Sequence, residues 1–465
     1  MKIRFSEALM GLFSAASGDV NPLHLSDSYA RQSPYGQRVV FGALGFLACL
    51  AKAPVPAGKT IASVQVDFRG GMFVDIDYDH EGNAGETHLS DGGNAVLQLR
   101  LTYRDGNPDI AVLPANPVFP LSAARKLAAE DISPGLSFSG IYAPSRSAFQ
   151  ELRNALGLRH DAAAIAAMAA SYAAGMELPG EAAALSSFRF DITGPLQLPA
   201  RLSVSAVKYD DRFSMLHTRF SLGFAEGKIT ALVRPAMDAP VAPASYEGPF
   251  AGKTVLVTGA SRGLGAAFAL DLAAQGALVT GTYSQSRDKA TEVVAAAEGL
   301  PGRVRMEQGD ISSPAFCAAL AARTGRLDML LLSAAPPLQP MLDEEAFQSR
   351  IASYLAKGLA MIETPLAAFL PVTRRVLLIS SSAVENPPRI WPHYVRLKNE
   401  AEKLIKASAA ANPAVGYFIA RPQKILTDMV NTPMGRLGAE EPAAVARRLL
   451  NKAGEEAPAG KAIYC

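Results

Sequence analysis

The chain has 465 residues, of which 49% are apolar and 19% charged, and its formal net charge is +2. This length predicts about three domains, because one core rarely serves more than ~250 residues. The balanced charge, without a long Lys/Arg cluster, argues against nucleic acid or an anionic membrane as partner, and no apolar run approaches the roughly 18 residues that span a bilayer. Isolated cysteines predict inert thiols in a reducing, cytoplasmic compartment and no metal site; they are Cys49, Cys317 and Cys465.

The N-terminal segment carries Lys2 and Arg4 before an apolar stretch, a faint likeness to a signal peptide. Glu7 interrupts that stretch, which also continues directly into a Gly-Asp turn. Residues 1–17 are therefore predicted to form the first helix of the mature protein.

Two Pro-rich stretches, residues 105–120 and 235–250, interrupt the periodic pattern. They divide the chain into three predicted domains, residues 1–110, 111–240 and 251–465. The first two share an order of elements, in which a helix and a Pro-Gly turn precede alternating strands. The predicted helices and strands are 39–50, 61–68 and 95–103 in the first copy, and 162–175, 183–190 and 228–233 in the second.

A turn-like stretch of the first copy brings Asp19, Asn21 and His24 within six residues, and Ala30 follows six residues later. Gly, Asp, Asn and Pro also form ordinary turns, but the added histidine and the helix that follows favour an active site. The stretch resembles the MaoC-like (R)-specific enoyl hydratases and dehydratases.

That resemblance implies a hotdog fold, in which a central helix is wrapped by an antiparallel sheet. It implies that Asp19 and His24 form an acid–base pair, that Asn21 orients the pair, and that the backbone N–H of Gly42 stabilises an oxyanion. The family often has histidine where this chain has Phe41.

The second copy has no Asp–His pair at this spacing in its stretch from Tyr142 to Arg153. His160 is predicted to be a surface residue. We expect this copy to complete a double hotdog, an α+β fold, and to shape an acyl tunnel without catalysing a reaction.

From Gly252 onward, strands alternate with helices, which predicts an α/β domain with a doubly wound parallel sheet of the Rossmann type. A predicted strand, 254–257, runs into a glycine-rich loop and a helix, 266–274, and such a loop lets a pyrophosphate approach a helix N-terminus. Further strands are predicted at 278–282 and 375–379.

The motifs that follow make this region resemble the short-chain dehydrogenase/reductases, and above all the β-ketoacyl reductases. Tyr394 precedes Lys398 by four residues, and Ser381 lies thirteen residues before Tyr394. The resemblance implies that Tyr394 is the proton donor, that Lys398 lowers its pKa, and that Ser381 holds the substrate carbonyl. The cofactor contacts that it implies are Gly259, Ser261, Arg262, Gly263, Gly265, Ser284, Asp310, Ile311, Ser333, Tyr394, Lys398, Ile425 and Thr427.

This region departs from the family at three places. Residues 332–335, Leu-Ser-Ala-Ala, replace Asn-Asn-Ala-Gly, Tyr354 aligns with the asparagine of the proton relay, and Gln423 replaces a glycine. One hypothesis makes the Tyr354 hydroxyl part of the relay, and the other gives Tyr354 a packing role alone.

Charge indicates the cofactor. An acidic residue after the second strand would bind an adenosine ribose and repel a 2′-phosphate. Residues 282–285 are uncharged here, with Arg287 and Arg262 nearby, so NADPH is predicted.

These observations predict a bifunctional 3-ketoacyl-thioester reductase and (R)-3-hydroxyacyl-thioester dehydratase of fatty-acid-like or polyketide biosynthesis, acting on acyl groups carried by acyl carrier protein or coenzyme A. The reductase domain is expected to form a homo-oligomer. Two alternatives stay open: a catabolic hydratase and 3-hydroxyacyl dehydrogenase, and an acyl-binding scaffold with one inactive domain.

Overall fold

The computed structural model describes residues 1–464, so the expectation for Cys465 lies outside the described residues. The chain forms two compact units. The first comprises Met1–Ala236 with Thr432–Met434, and the second comprises Met237–Asn431 with the segment that begins at Gly435. The boundary expected near residue 110 falls within the first unit and stays a prediction.

The elements of the first unit, in chain order, are β1 (Lys2–Arg4), α1 (Glu7–Ser17), α2 (Pro22–Leu25), α3 (Asp27–Ala30), α4 (Gly42–Lys52), β2 (Lys59–Phe68), β3 (Asp77–Gly82), β4 (Glu86–Asp91), β5 (Asn94–Asp105), β6 (Ser137–Tyr142), α5 (Arg146–Leu156), α6 (Asp161–Tyr172), β7 (Ala183–Ile192), β8 (Ala200–Asp210), β9 (Met215–Leu222) and β10 (Ala225–Val233).

One antiparallel sheet contains all ten of these strands, in the order β1-β3-β4-β5-β2-β7-β10-β9-β8-β6. At its centre β2 pairs with β7, where Val64 lies opposite Phe190. Outward from this pair the strands run β2-β5-β4-β3-β1 on one side and β7-β10-β9-β8-β6 on the other. The two sides therefore have the same order when each half is numbered from its own first strand.

Two buried helices, α4 and α6, contact each other in the core of this unit. Every residue of α6 is buried, because the helix is mostly alanine and its neighbours can approach closely from all sides. The helix ends in one wide turn, Ala173–Glu177.

Two predictions for this unit are wrong in detail. The first helix begins at Glu7, capped by Ser6, whereas Lys2–Arg4 form a strand paired with β3. His160 is 7% exposed and not a surface residue, because it directly precedes the buried helix α6.

The elements from residue 254 onward are β11 (Thr254–Thr258), α7 (Gly263–Ala274), β12 (Leu278–Tyr283), α8 (Arg287–Ala296), β13 (Arg303–Gln308), α9 (Pro314–Thr324), β14 (Met329–Leu332), α10 (Gln348–Phe369), β15 (Arg375–Ile379), α11 (Pro392–Ala411), β16 (Gly416–Ala420), α12 (Pro433–Arg436), α13 (Pro442–Gly454) and β17 (Ala462–Tyr464).

The strands of the second unit form a seven-stranded parallel sheet in the order β13-β12-β11-β14-β15-β16-β17. Alternate residues of β11 enter different cores: Val255 and Val257 pack with α7 and α13, and Leu256 packs with α10 and α11. Both faces of the sheet are thus covered, and the predicted doubly wound α/β fold is confirmed. The strand order reverses between β11 and β14, where such sheets bind ligands at their carboxyl ends.

One segment, Glu345–Val372, is long and apolar enough on average to cross a membrane. The core helix of a water-soluble protein satisfies the same criterion. Its main part, α10, contacts α9 and α11, and Ile351, Ile362 and Phe369 are buried.

Candidate active sites

In the first unit, a sharp turn places Asp19 in the interior. Gly18 ends α1 with a φ of +73°, and its N–H donates to the Ser14 carbonyl (2.9 Å). A Cβ at Gly18 would lie 2.5 Å from the Phe119 ring, so only glycine fits. Asp19 follows at 1% exposure.

The Asp19 carboxylate is held from both halves of the unit. Its Oδ1 accepts from the Asn21 N–H (3.1 Å), and its Oδ2 accepts from the Ser171 hydroxyl (2.8 Å). A Cβ at Gly175 would lie 2.9 Å from each carboxylate oxygen. Burial raises the pKa of Asp19 to about 6, against the lowering effect of these hydrogen bonds.

Asn21 fixes the loop that carries the carboxylate. Its Oδ1 accepts from the Leu23 N–H (3.0 Å) and caps α2, while its Nδ2 donates to the carbonyls of Gly175 (2.9 Å) and Gly180 (3.1 Å). The amide is 1% exposed. Its contacts orient backbone from both halves of the unit.

His24 is held in one tautomer. Its Nδ1 lies 2.8 Å from the Val39 carbonyl, which only accepts, so Nδ1 carries the proton and Nε2 of the neutral ring is an acceptor. The ring stacks on Phe41, with 4.0 Å between centroids. Burial lowers the pKa of His24 to about 4, so the imidazole is neutral at pH 7.

Gly42 opens α4 beside these side chains. Phe41 makes no side-chain cap there, so the first N–H groups of the helix are not used by a cap. A Cβ at Gly42 would lie 2.9 Å from the Phe68 ring. Asp19, Asn21, His24 and Gly42 line one cavity, together with Ser171 and Gly175.

The second half carries no comparable group at the start of α6. The Asp161 carboxylate accepts from the Ala111 N–H (2.9 Å) and pairs with Arg153 (3.2 Å). Burial lowers the pKa of the adjacent His160. The carboxylate at the start of α6 is thus used in structural contacts.

In the second unit, the glycine-rich loop joins β11 to α7 at the centre of the sheet. Gly259 and Gly263 have φ angles of +70° and +54°, and a Cβ at Gly265 would lie 2.1 Å from the Gly259 carbonyl oxygen. Arg262 precedes the helix without a side-chain cap, and Ser261 is buried in the same loop. These features fit a dinucleotide pyrophosphate, which needs close backbone approach and open N–H groups at a helix start.

Thr427 packs against the glycine-rich loop, since a Cβ at Gly263 would lie 3.2 Å from the Thr427 methyl group. Arg262 pairs with Asp428 at 3.2 Å. Ile425, two residues before Thr427, forms a parallel bridge with Glu440. The pair between Arg262 and Asp428 means that the arginine already has an anionic partner.

The end of β12 carries Tyr283 and Ser284 and no carboxylate. The Ser284 carbonyl accepts from Gln308 (3.1 Å), whose side-chain oxygen accepts from Arg287 (3.1 Å). At the next strand end, Ser312 donates twice to the Asp310 carboxylate (2.9 and 2.7 Å) and lowers its pKa. Ile311 is buried beside Asp310.

The ends of β11 and β14 are tied together. The Thr258 hydroxyl accepts from the N–H groups of Ser333 (3.0 Å) and Ala334 (3.1 Å). A Cβ at Gly259 would lie 3.0 Å from the Ala334 Cα. The departure at residues 332–335 therefore preserves close packing beneath the glycine loop.

Ser381, Tyr394 and Lys398 meet at the end of β15. A hydrogen bond from Ser381 lowers the pKa of Tyr394, although burial, the larger effect, raises it. The Lys398 Nζ lies 5.4 Å from the Tyr394 ring centroid and donates to the Ile379 carbonyl (2.8 Å). Burial lowers the pKa of Lys398 to about 8.

Tyr354 is 8% exposed, and its hydroxyl has no hydrogen-bond partner within residues 1–464. Burial raises its pKa well above the usual value. The ring meets His393 edge-on, with 4.6 Å between centroids. The relay stays a hypothesis, and these contacts favour packing.

The free thiols in the described part of the chain fit the expected inert state. Cys49 and Cys317 are both buried. Burial raises the pKa of Cys49, and it raises the pKa of Cys317 to about 11.

Asp19→Asn should stabilise the protein, increasingly as the pH rises from about 4 to 6. Because the folded pKa of about 6 exceeds the ordinary value of 3.8, the folded state binds the proton more tightly and wild type loses stability as pH rises through that window. The gain in the free energy of unfolding should reach about 2–3 kcal/mol at pH 7, at 1.36 kcal/mol per pKa unit. Urea unfolding across pH measures it; the exposed Asp211→Asn is the control. An equal gain at pH 4 and 7 would contradict the assignment.

Tyr354→Phe should keep the rate of carbonyl reduction and raise Tm, because a buried hydroxyl without a partner costs about 1–3 kcal/mol. Tyr417→Phe is the matched control: it removes a buried tyrosine's hydroxyl that lies 3.0 Å from the Ser408 hydroxyl, and it should lower Tm. Reduction rates and melting curves of both variants check this. A slower Tyr354→Phe enzyme with unchanged Tm would support the relay instead.

Comparison with known proteins bears on the second unit. The family described as short chain dehydrogenase matches residues 253–436. Tetrahydroxynaphthalene reductase PfmaG of Pestalotiopsis fici is 46% identical over 72 residues, which are 16% of this chain and 26% of that protein. L-rhamnose 1-dehydrogenase (NAD(P)(+)) of a Sphingomonas species is 29% identical over 219 residues, 41% of this chain and 85% of that protein. The chain thus spans about a quarter of the first relative and most of the second.

Among solved structures, a short chain dehydrogenase from Burkholderia cenocepacia in complex with NADP is 24% identical, with a TM-score of 0.42. The match covers 47% of this chain and 97% of that one. The family match and the parallel sheet together identify residues 253–436 as a domain of the short chain dehydrogenase family.

Proposed function

We propose that the chain is a bifunctional enzyme that reduces a 3-ketoacyl thioester in its second unit and dehydrates an (R)-3-hydroxyacyl thioester to a 2-enoyl thioester in its first. The observation that carries the proposal is the cavity lined by Asp19, His24 and Gly42, on a chain that also contains a dehydrogenase domain. The product of the reduction is the substrate of the dehydration.

The first unit supports a double hotdog fold. Its halves have the same strand order about the β2–β7 pair, and a buried helix precedes the corresponding strands β2 and β7. That arrangement agrees with the MaoC-like motif at Asp19.

Dehydration breaks a C–H and a C–O bond, and water leaves. The Asp19–His24 pair accepts the α-proton and delivers a proton to the departing hydroxyl, so it ends in its starting state. The carboxyl pKa of about 6 suits a group that exchanges protons near neutral pH, and the imidazole, with a pKa of about 4, is neutral there and has Nε2 free to accept a proton. The N–H groups at Gly42 stabilise the negative charge on the thioester oxygen.

In the reduction, Tyr394 donates its proton to the ketone oxygen, which Ser381 holds by a hydrogen bond. The cation of Lys398 favours the resulting phenolate. Bound NADPH supplies the hydride. Residues of the glycine loop at Gly259–Gly265 would hold its pyrophosphate, and Asp310 its adenine.

NADPH is favoured over NADH because β12 ends without a carboxylate, at Ser284. A relative from Thermoplasma acidophilum is named L-rhamnose 1-dehydrogenase (NADP(+)), and others are named as reductases. From the reductive direction we infer a role in fatty-acid-like or polyketide biosynthesis. We further propose an acyl carrier protein or coenzyme A thioester as substrate, a homo-oligomer and a cytoplasmic location.

The two activities should be separable. Asp19→Ala or His24→Ala should stop formation of the 2-enoyl thioester, by roughly 10²–10⁴-fold, while NADPH oxidation with a 3-ketoacyl thioester continues. Tyr394→Phe should stop NADPH oxidation with a 3-ketoacyl thioester, while dehydration of a 3-hydroxyacyl thioester continues. Enoyl absorbance and NADPH consumption are measured with a short panel of acyl thioesters. Unchanged rates in all three variants would contradict both site assignments, and a wild-type chain that binds acyl thioesters but catalyses only one of the two reactions would indicate an acyl-binding scaffold with one inactive domain.

Ser284→Asp should weaken NADPH binding more than NADH binding, since a carboxylate there repels a 2′-phosphate. The ratio of kcat/KM for the two cofactors should shift by roughly tenfold or more, on the scale of one lost charged contact. Ala322→Asp, which adds a carboxylate at an exposed position near the C-terminal end of α9, is the control. A wild-type preference for NADH would favour the catabolic alternative.

A further inference from the structure

Helix α11 carries ionisable side chains at intervals of four residues, at Tyr394, Lys398, Glu402 and Lys406. Residues four apart lie on one face of a helix. The sequence resemblance implies catalytic roles for Tyr394 and Lys398 and implies none for Glu402. Glu402 is 3% exposed.

The side chains of Tyr394, Lys398 and Glu402 each form a hydrogen bond to one of three consecutive residues, 379–381, at the end of β15. Lys398 Nζ donates to the carbonyl of Ile379 (2.8 Å), and Glu402 Oε1 accepts from the hydroxyl of Ser380 (2.6 Å). Ser381 comes next and hydrogen-bonds to Tyr394. Three turns of α11 thus contact the three residues 379–381, the segment that carries Ser381.

The Glu402 carboxylate is fully satisfied. Besides Ser380, it accepts from Arg421 Nε (2.8 Å) and Nη2 (2.6 Å), and from the Tyr464 hydroxyl (2.8 Å). Arg421 also donates to Glu385 (2.9 Å). A buried carboxylate costs stability unless it is paired in this way.

We propose that Glu402 is a positioning residue for the reduction, which holds the Ser380–Ser381 segment against α11 and keeps Lys398 in its cationic form. The proposal rests on the reductase activity proposed above. Glu402 touches neither substrate nor cofactor. It acts through Ser381 and Lys398.

The effect of the Glu402 charge on the pKa of Lys398 has a defined direction. Burial lowers the pKa of Lys398 to about 8, and the charge of Glu402 opposes that shift. Loss of the Glu402 charge therefore lets Lys398 lose its proton at lower pH. The other charged or titratable groups around the carboxylate are Arg421, Tyr464 and Glu385, with Lys406 over the Tyr464 ring.

The test is Glu402→Gln in the full-length enzyme, with Glu400→Gln as the matched control. Glu400 lies on the same helix and pairs only with Lys403, at 2.7 Å. We expect Glu402→Gln to lower kcat of reduction about tenfold, to leave KM for NADPH unchanged, and to move the alkaline limb of the kcat–pH profile down by about one unit. Glu400→Gln should match wild type in all three.

A Glu402→Gln enzyme whose kcat and pH profile match the control overturns the proposal. A lower Tm with an unshifted profile also overturns it, since a merely structural role predicts that result. If Glu402→Gln does not fold, Ser380→Ala decides: it should lower kcat about threefold without moving the alkaline limb, and a wild-type kcat refutes the proposal. Wild type without any reductase activity would refute the proposed function instead.

Discussion

Each candidate site depends on ionisable side chains that are buried and tied to backbone groups. Burying a polar group is costly unless it is hydrogen-bonded, so the backbone must offer a partner where the chemistry needs a charge. Asp19 accepts from the Asn21 N–H, His24 donates to the Val39 carbonyl, and Lys398 donates to the Ile379 carbonyl. The same hydrogen bonds fix the tautomer of His24 and the orientation of all three side chains. Each contact that offsets the cost of burial therefore also sets the geometry of the site.

Close backbone approach is the second requirement, and glycine meets it in both units. Gly175 allows the wide turn after α6 to lie against the Asp19 carboxylate, and wide turns of this kind are frequent at functional sites. Gly265 allows α7 to begin against the Gly259 carbonyl. In each case an added methyl group would displace the chain that binds or positions a negative charge.

The sequence predicts those parts of the structure that are local. The spacing from Tyr394 to Lys398 follows from one helical turn, and the glycine loop with its flanking strand and helix spans only residues 254–274. The helices and strands for which period and turn residues gave bounds are present, with shifts of a few residues at their ends. Tertiary context accounts for the errors: His160 is buried because α6 runs through the core.

Contacts between residues far apart in the chain could not be predicted. Ser171 and Gly175 reach Asp19 across more than 150 positions, and no local pattern marks either residue. Glu402 carried a usable signal, since it continues the four-residue spacing of Tyr394 and Lys398. Its partners Arg421 and Tyr464 lie at the ends of other strands, and only the order of the parallel sheet brings them together.

The two halves of the first unit carry different side chains at their corresponding loops, and this difference follows from how the Asp19 loop is built. The second half supplies the contacts that shape this loop: the Tyr142 hydroxyl donates to the Ser17 carbonyl (3.0 Å), and Ser171 donates to Asp19. The Gly175 carbonyl accepts from Asn21. The second half thus supports the candidate site that the first half carries. The repeated sheet order thus gives one half that carries the candidate site and one half that positions it, and both are needed to bury a single carboxylate.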